Sequence, residues 1–264
     1  LHIIEQLAIE KKIKDWPGFG IALQAYGKRS FDALNWLNST LDKRTGMHIR
    51  LVKGAYWDYE IKHAQVSGYA DYPVFSKKSI TDIAYLACAK KILENKNIYA
   101  KFATHNAHTI SSINYLGQGC EYEFQRLFGM GELLYKSASD VLKLDKAPSI
   151  YAPIGSYKDL LPYLVRRLLE NGANSSFINR LLDPETDSKW LAENPLIRMK
   201  NEKKDIPLPK NIFGKRLNSS GMDISEKQNL DDLSKKLKTF EGKKVRAQSL
   251  YMYRDKDDEK IMNV

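Results

Sequence analysis

Four short clusters hold the residues whose types and spacing could do chemistry. The densest is Arg50-Leu51-Val52-Lys53-Gly54-Ala55-Tyr56-Trp57. In an extended strand Arg50 and Val52 share one face and Lys53 takes the other. Gly54 and Ala55 follow where the strand ends, and residues that small let a ligand approach the backbone. Enzymes built on parallel sheets place their sites at that end; the competing reading is an ordinary strand with surface cations. The second cluster is Phe102-Ala103-Thr104-His105-Asn106-Ala107-His108. His105 and His108 are potential metal ligands, but no cysteine or carboxylate stands at a supporting spacing, so no metal is expected. Thr104 or Asn106 capping a helix accounts for the same residues. The third, Glu123-Phe124-Gln125-Arg126-Leu127, puts Glu123, Gln125 and Leu127 on one face. Two polar side chains on a face that should be apolar signal a ligand or a buried hydrogen-bond network.

The fourth cluster is a helix opening at Ser156, where Ser156 and Asp159 form a capping box and Asn171-Gly172 is a stop. Pro162 is tolerated only in a first turn, so the regular helix is expected to start near Leu160 or Leu161. Arg166 and Arg167 stand four and three residues before Glu170. They read either as surface salt bridges worth ~0.3–0.5 kcal/mol each, or as two guanidinium groups clamping a carboxylate while Glu170 steadies one.

These clusters need elements to carry them. From residue 1 to about 182, β-like runs alternate with helix-like runs. The strands are expected at 19–26, 48–53, 98–104, 121–125 and 149–153. Between the second and third, Ile80, Ile83, Ala84, Ala87 and Cys88 form an apolar stripe at helical spacing. Such alternation predicts parallel strands joined by helical crossovers, here five β/α units. Five units are too few for a closed (β/α)8 barrel, and neither GxGxxG nor GxxxxGK[ST] occurs, so a doubly wound nucleotide fold is not indicated. Residues 201–222 carry Pro207, Pro209, Gly214, Gly221 and Ser219-Ser220 and read as a linker. Beyond it, Ser225 and Gln228 suggest a capping box, with Leu230, Leu233 and Leu237 on one side of a short amphipathic helix. The last twenty residues are charged and show no core pattern.

Composition narrows the function. The chain has 264 residues with 42 Lys+Arg against 32 Asp+Glu, a formal charge of +10, and is 43% hydrophobic. That is enough apolar material for a core. The excess charge gathers after residue 198 but alternates with acids and follows no nucleic-acid motif, so a solvated basic surface is expected rather than a nucleic-acid partner. Cys88 and Cys120 are too few for a disulfide scaffold and suit a reducing, cytoplasmic compartment. No apolar run approaches the ~20 residues of a membrane span. The start carries no signal-peptide pattern and no initiator methionine, which suggests a chain beginning inside a longer protein.

Six blocks together are far more specific than any one of them: RLVKGAYWD (50–58), YLACAKK (85–91), FATHNAHT (102–109), YEFQRL-GMGE (122–132), YAPIGS (151–156) and YLVRRLLENGANSSF (163–177). In order and spacing they resemble the proline dehydrogenase domain of the proline utilization A family of bifunctional bacterial flavoenzymes, over residues 1 to about 195. The stretch from Ile206-Pro207-Leu208-Pro209 to Met222-Asp223 resembles that family's linker and the opening of its aldehyde dehydrogenase domain. The resemblance implies a distorted (β/α)8 TIM-type barrel, of which strands four to eight are present, plus a linker and a helical tail. Its domains would be 1–195 (partial barrel), 196–222 (linker) and 223–264 (start of a truncated aldehyde dehydrogenase region). It implies non-covalent FAD, with NAD only for the aldehyde dehydrogenase part, and oxidation of L-proline to Δ1-pyrroline-5-carboxylate by hydride transfer to flavin N5.

By the same resemblance Arg50 lies beside the flavin ring, and Gln24, Val52, Gly54, Ala55 and Trp57 line it. Lys77, where the family more often has arginine, and Thr104, His105, Asn106 and Gln125 match contacts to the rest of the cofactor. Arg166 and Arg167 match the pair gripping the substrate carboxylate, with Glu170 orienting one of them. Tyr56, Leu127 and Tyr151 match the walls around the pyrrolidine, and Arg50, Tyr56 and Tyr151 are the residues nearest the chemistry. Membrane quinone as electron acceptor, peripheral attachment at the inner face of the bacterial membrane, and a homo-oligomer are implied by resemblance only. A catalytically inactive fragment with an incomplete barrel is the alternative, and a basic nucleic-acid-binding protein a more distant one.

Overall fold

The computed structural model of the chain describes residues 2–41, 46–172, 189, 192–202, 206–247 and 260–263. Its strands follow the alternation read from the sequence: β1 (Gly20–Gln24), β2 (Met47–Val52), β3 (Ile98–Ala103), β4 (Tyr122–Leu127) and β5 (Ser149–Tyr151). They are joined by α2 (Ser30–Leu41), α3 (Trp57–Val66), α4 (Lys78–Leu93), α5 (Ala107–Leu116) and α6 (Glu132–Leu142), with α1 (His2–Ile9) before and α7 (Tyr157–Gly172) after. All five pair in parallel in the order β1-β2-β3-β4-β5, so chain order and sheet order coincide. The sheet is open among the described residues, with β1 and β5 at its edges.

The two faces of the sheet differ. Met47, Ile49 and Leu51 of β2 and Ile98, Ala100 and Phe102 of β3 are buried, while the alternating residues are half-buried. The buried face packs on Leu34 and Leu37 of α2, Tyr85, Cys88, Ala89 and Ile92 of α4, Ile110 and Ile113 of α5 and Tyr135 of α6. Phe102, Tyr122, Phe124 and Tyr135 meet at centroid distances of 5.4–6.4 Å, within the usual range for aromatic pairs. A fully buried side chain such as Phe102 contributes about 1.5–3 kcal/mol of transfer free energy. The opposite face carries His48 and Arg50, Tyr99 and Lys101, Glu123 and Gln125, a polar lining for a surface that a simple sheet protein would leave to water or fill with apolar groups.

Several local expectations are corrected. The face of α4 toward the sheet is Thr81, Tyr85, Cys88, Ala89 and Ile92; Ile80, Ile83 and Ala84 are only half-buried and Ala87 is exposed. Tyr85 can be inside because its hydroxyl donates to the Leu51 carbonyl at 3.3 Å, which removes the penalty a pattern of apolar residues assumes. Helix α7 begins at Tyr157 and accommodates Pro162 within it, rather than starting at Leu160 or Leu161. Ser156 still opens it: its carbonyl accepts from the Asp159 and Leu160 amides, and its hydroxyl donates to Asp159 at 2.8 Å.

The chain divides into two units, 1–62 with 72–206 and 63–71 with 207–264. The first includes α8 (Pro195–Asn201), which opens on an Asn194 cap and packs against α4; part of the stretch read as linker is therefore helical. In the second unit, Gly221 N–H donates to the Gly68 carbonyl at 2.9 Å and Asn218 donates to Gln65 O at 2.8 Å. Glycine is needed at this crossing, since a Cβ on Gly221 would sit 1.7 Å from the Ser67 carbonyl oxygen. Its helix α9 (Lys227–Lys238) has Glu226 at the N-cap, one residue later than the Ser225–Gln228 box would place it. Ser225 is instead turned back onto Asp223 by a 2.6 Å bond from its hydroxyl. Four residues at 244–247 (β6) pair antiparallel with 260–263 (β7), a hairpin that the charged tail conceals in sequence.

Candidate active site

Because the strands are parallel, their last residues lie along one edge of the sheet. Gln24 ends β1 and Val52 ends β2, paired across the ladder. Leu127 and Tyr151 are likewise paired at the ends of β4 and β5. Val52 leads into Gly54–Trp57, and Ala103 leads into Thr104–Asn106. Gly54 adopts φ +143°, and a Cβ there would sit 2.3 Å from the Tyr26 ring. Its smallness thus lets an aromatic of this chain close on the loop, a different role from admitting a ligand to the backbone.

Arg50 is held from two sides on the polar face. Its Nε–H donates to Gln125 Oε1 at 2.8 Å, and its guanidinium carbon lies 4.7 Å from the centre of the Tyr151 ring. Gln125 Nε2 in turn donates to Glu123 Oε1 at 2.8 Å. Helix α7 brings two further cations: Arg166 over the Tyr56 ring at 5.3 Å and Arg167 over the Tyr163 ring at 5.4 Å. Burial raises the Tyr151 phenol, opposed by Arg50 and Arg167 and reinforced by Tyr163, so these four groups share one field. Of the three expected pocket walls, Tyr56 is 43% exposed, Tyr151 is half-buried and Leu127 is only 2% exposed, so Leu127 presents little surface. The side chain of Glu170 and residues 173–177 lie outside what is described, and the Arg–Glu170 pairs with them.

The remaining expected contacts divide by what their polar atoms already do. Gln24 Oε1 accepts from Ala55 N–H at 3.3 Å and ties β1 to the loop after β2. Trp57 Nε1 donates to the Phe75 carbonyl at 2.8 Å, which leaves its ring as the part offered to a ligand. Thr104 is buried; its hydroxyl accepts from Asn106 N–H, and its carbonyl accepts from the Tyr135 hydroxyl. Asn106 caps α5, accepting from Thr109 N–H at 2.9 Å. His105 Nε2 accepts from Leu127 N–H at 3.4 Å, and burial with Arg126 nearby lowers its pKa, so the ring is the neutral acceptor this bond requires. Lys77 is the extended N-cap residue of α4, and its side chain makes no cap hydrogen bond. A lysine beside such helix amides is chemistry suited to phosphate.

Sequence reasoning did not single out Tyr163, Tyr26 or the Lys53–Asp82 ion pair. Tyr163 was accessible in principle, since it stands four residues before Arg167 on α7. His105 and His108 belong to no potential metal-holding cluster among the described residues.

Residues 1–180 match the family model described as proline dehydrogenase. The chain belongs to the proline dehydrogenase family. It is 44% identical, over 90% of its length, to the bifunctional protein PutA of Salmonella typhimurium, and 42% identical over 90% to that of Rhizobium meliloti. It spans about a fifth (20%) of the length of those curated relatives. Among solved structures, proline utilization A with proline bound in remote sites is 41% identical and superposes with a TM-score of 0.84, over 90% of this chain and 25% of that one. Membership implies a flavin cofactor, and the residues present suit one: a cation fixed on the polar face, aromatic surfaces at Trp57 and Tyr151, and a lysine at a helix start.

Proposed function

We propose that this chain carries a large part of a site that oxidises L-proline to Δ1-pyrroline-5-carboxylate. The observation that carries the reading is the approach of Arg50 from β2 and Arg167 from α7 to Tyr151 of β5, with Arg166 lying over Tyr56 of the loop after β2. Bound non-covalently, FAD would supply the acceptor for a hydride from the carbon next to the proline nitrogen, as the nitrogen lone pair forms the C=N bond. Arg166 and Arg167 follow one another on a helix, about 100° apart, and so grip the proline carboxylate from two sides, with Glu170 orienting one of them. That grip fixes which ring carbon faces the cofactor. Tyr56, Tyr151 and Leu127 wall the pyrrolidine, with Leu127 backed by the His105 bond. Arg50 provides positive charge where negative charge accumulates during reduction. Gln24, Val52, Gly54, Ala55, Trp57, Lys77, Thr104, His105, Asn106 and Gln125 hold the cofactor.

Further parts of the reading extend to the longer relatives. Residues 1–195 form the barrel segment, 196–222 a linker, and 223–264 the start of an aldehyde dehydrogenase region that uses NAD. Electrons pass to a membrane quinone, the protein working in the cytoplasm or at the inner membrane face as a homo-oligomer, with no nucleic acid bound by this segment. Among the described residues no helix is long and apolar enough to cross a membrane. The deciding experiment is proline-dependent dye reduction by the flavin-loaded full-length protein, comparing the natural sequence with Arg167→Met. The variant should keep its flavin spectrum and lose apparent affinity for proline; an unchanged Michaelis constant would remove the clamp.

A further inference from the structure

The polar face of the sheet holds a chain of contacts with only one possible direction. A carboxylate accepts and cannot donate, and a guanidinium donates and cannot accept. Glu123 Oε1 therefore compels Gln125 to present its NH2 group, which lies 2.8 Å away. The Gln125 carbonyl oxygen is thereby turned to Arg50, whose Nε–H donates to it at 2.8 Å. Glu123 is itself anchored by Lys101 at 3.5 Å and by the Tyr99 hydroxyl at 3.4 Å. The ladder explains the geometry: Arg50, Lys101 and Glu123 lie in one row across β2, β3 and β4, and Gln125 stands one same-face position further toward the strand ends.

We propose that Glu123 is the positioning residue of this site, fixing Arg50 across the Tyr151 ring by dictating which way the Gln125 amide faces. Glu123 touches neither substrate nor cofactor; it acts through Gln125. Replacing it with glutamine keeps size and polarity but offers an NH2 group as readily as an oxygen, so Gln125 loses its reason to face one way and Arg50 loses its acceptor.

Two measurements test this. In flavin-free protein, the Arg50 Nε–H resonance, assigned by its disappearance in Arg50→Lys, should exchange slowly with solvent. Glu123→Gln should speed that exchange roughly tenfold, the scale of one charge-assisted hydrogen bond, while Lys101→Met, which leaves the carboxylate in place, should not. Unchanged protection in Glu123→Gln overturns the proposal. Should that variant fail to fold, Glu123→Met combined with Lys101→Met removes both charges together, a change that folded proteins commonly tolerate; it must show the same faster exchange, and retained protection there overturns the proposal equally. The second measurement rests on the proposed function. In flavin-loaded full-length protein, Glu123→Gln should shift the flavin midpoint potential, and should shift it no further once Arg50→Lys is present. An additive shift overturns the proposal. Faster exchange with no change of potential upholds the positioning role and instead counts against Arg50 lying at the flavin.

Discussion

Arg50 and Arg167 are asked to do different things, and their substitution should separate them. Removing the Arg50 cation should lower the flavin potential and slow reduction by proline; a tenfold change in a one-electron equilibrium corresponds to about 59 mV. Redox titration of Arg50→Ala checks this, and equal potentials count against it. Arg167→Met should raise the Michaelis constant for proline about 10- to 100-fold, the range of charge-assisted hydrogen bonds, with the flavin retained. The histidines report on acid stability instead. Burial lowers the pKa of His48, with Lys101 adding to it; burial and Arg126 lower that of His105; and burial lowers that of His108, with Asp82 opposing and Lys53 and Arg198 adding. Below about pH 6.5 the unfolded chain therefore binds more protons than the folded one. Stability is fully present above that value and falls as the pH drops through it toward the lowered folded values. Thermal midpoints between pH 7.5 and 5 should decline, and the decline should shrink in His105→Gln, whose amide can still accept from Leu127 N–H.

The elements explain why some of this was legible and some was not. Alternation along β2 and β4 was enough to set Arg50 and Gln125 on a polar face, because a strand has only two faces. The helix stripe on α4 failed because Thr81 and Tyr85 count as polar until their partners are known, and the partner of Tyr85 is a carbonyl 34 residues earlier. Lys101 escaped notice for a similar reason: its pairing with Glu123 joins two strands, and a sequence pattern records only each element's own period. The β6–β7 hairpin joins segments separated by twelve residues and only four residues long, too short for any period to emerge. Two substitutions probe the elements directly. Tyr85→Phe should cost about 1 kcal/mol in denaturant unfolding, one net hydrogen bond. Gly54→Ala should weaken flavin binding by more than it lowers stability, because the strain falls in the loop that follows β2, where a methyl would meet Tyr26.

Across the molecule, the loop after β5 and the helix that follows it leave apolar surface in view: Ile154 is 97% exposed and Leu161 57%. Together with the unpaired sides of β1 and β5 among the described residues, that surface should make these 264 residues, prepared alone, associate with rising concentration. Sedimentation velocity should show the shift, and Ile154→Glu with Leu161→Glu should move the population toward monomer; a monomer at every concentration would contradict it. The ordering of the sheet has another consequence, in time rather than space. Every strand's neighbour is the strand made just before or just after it. A ribosome delivers β1 first and β5 last, so each arriving strand finds its partner already waiting, and the sheet can grow from one side while translation continues. Arg50 and Gln125 come from strands two places apart in that sequence, so their bond is made only after β4 has docked. The polar face is thus finished late, by the same additions that lengthen the sheet.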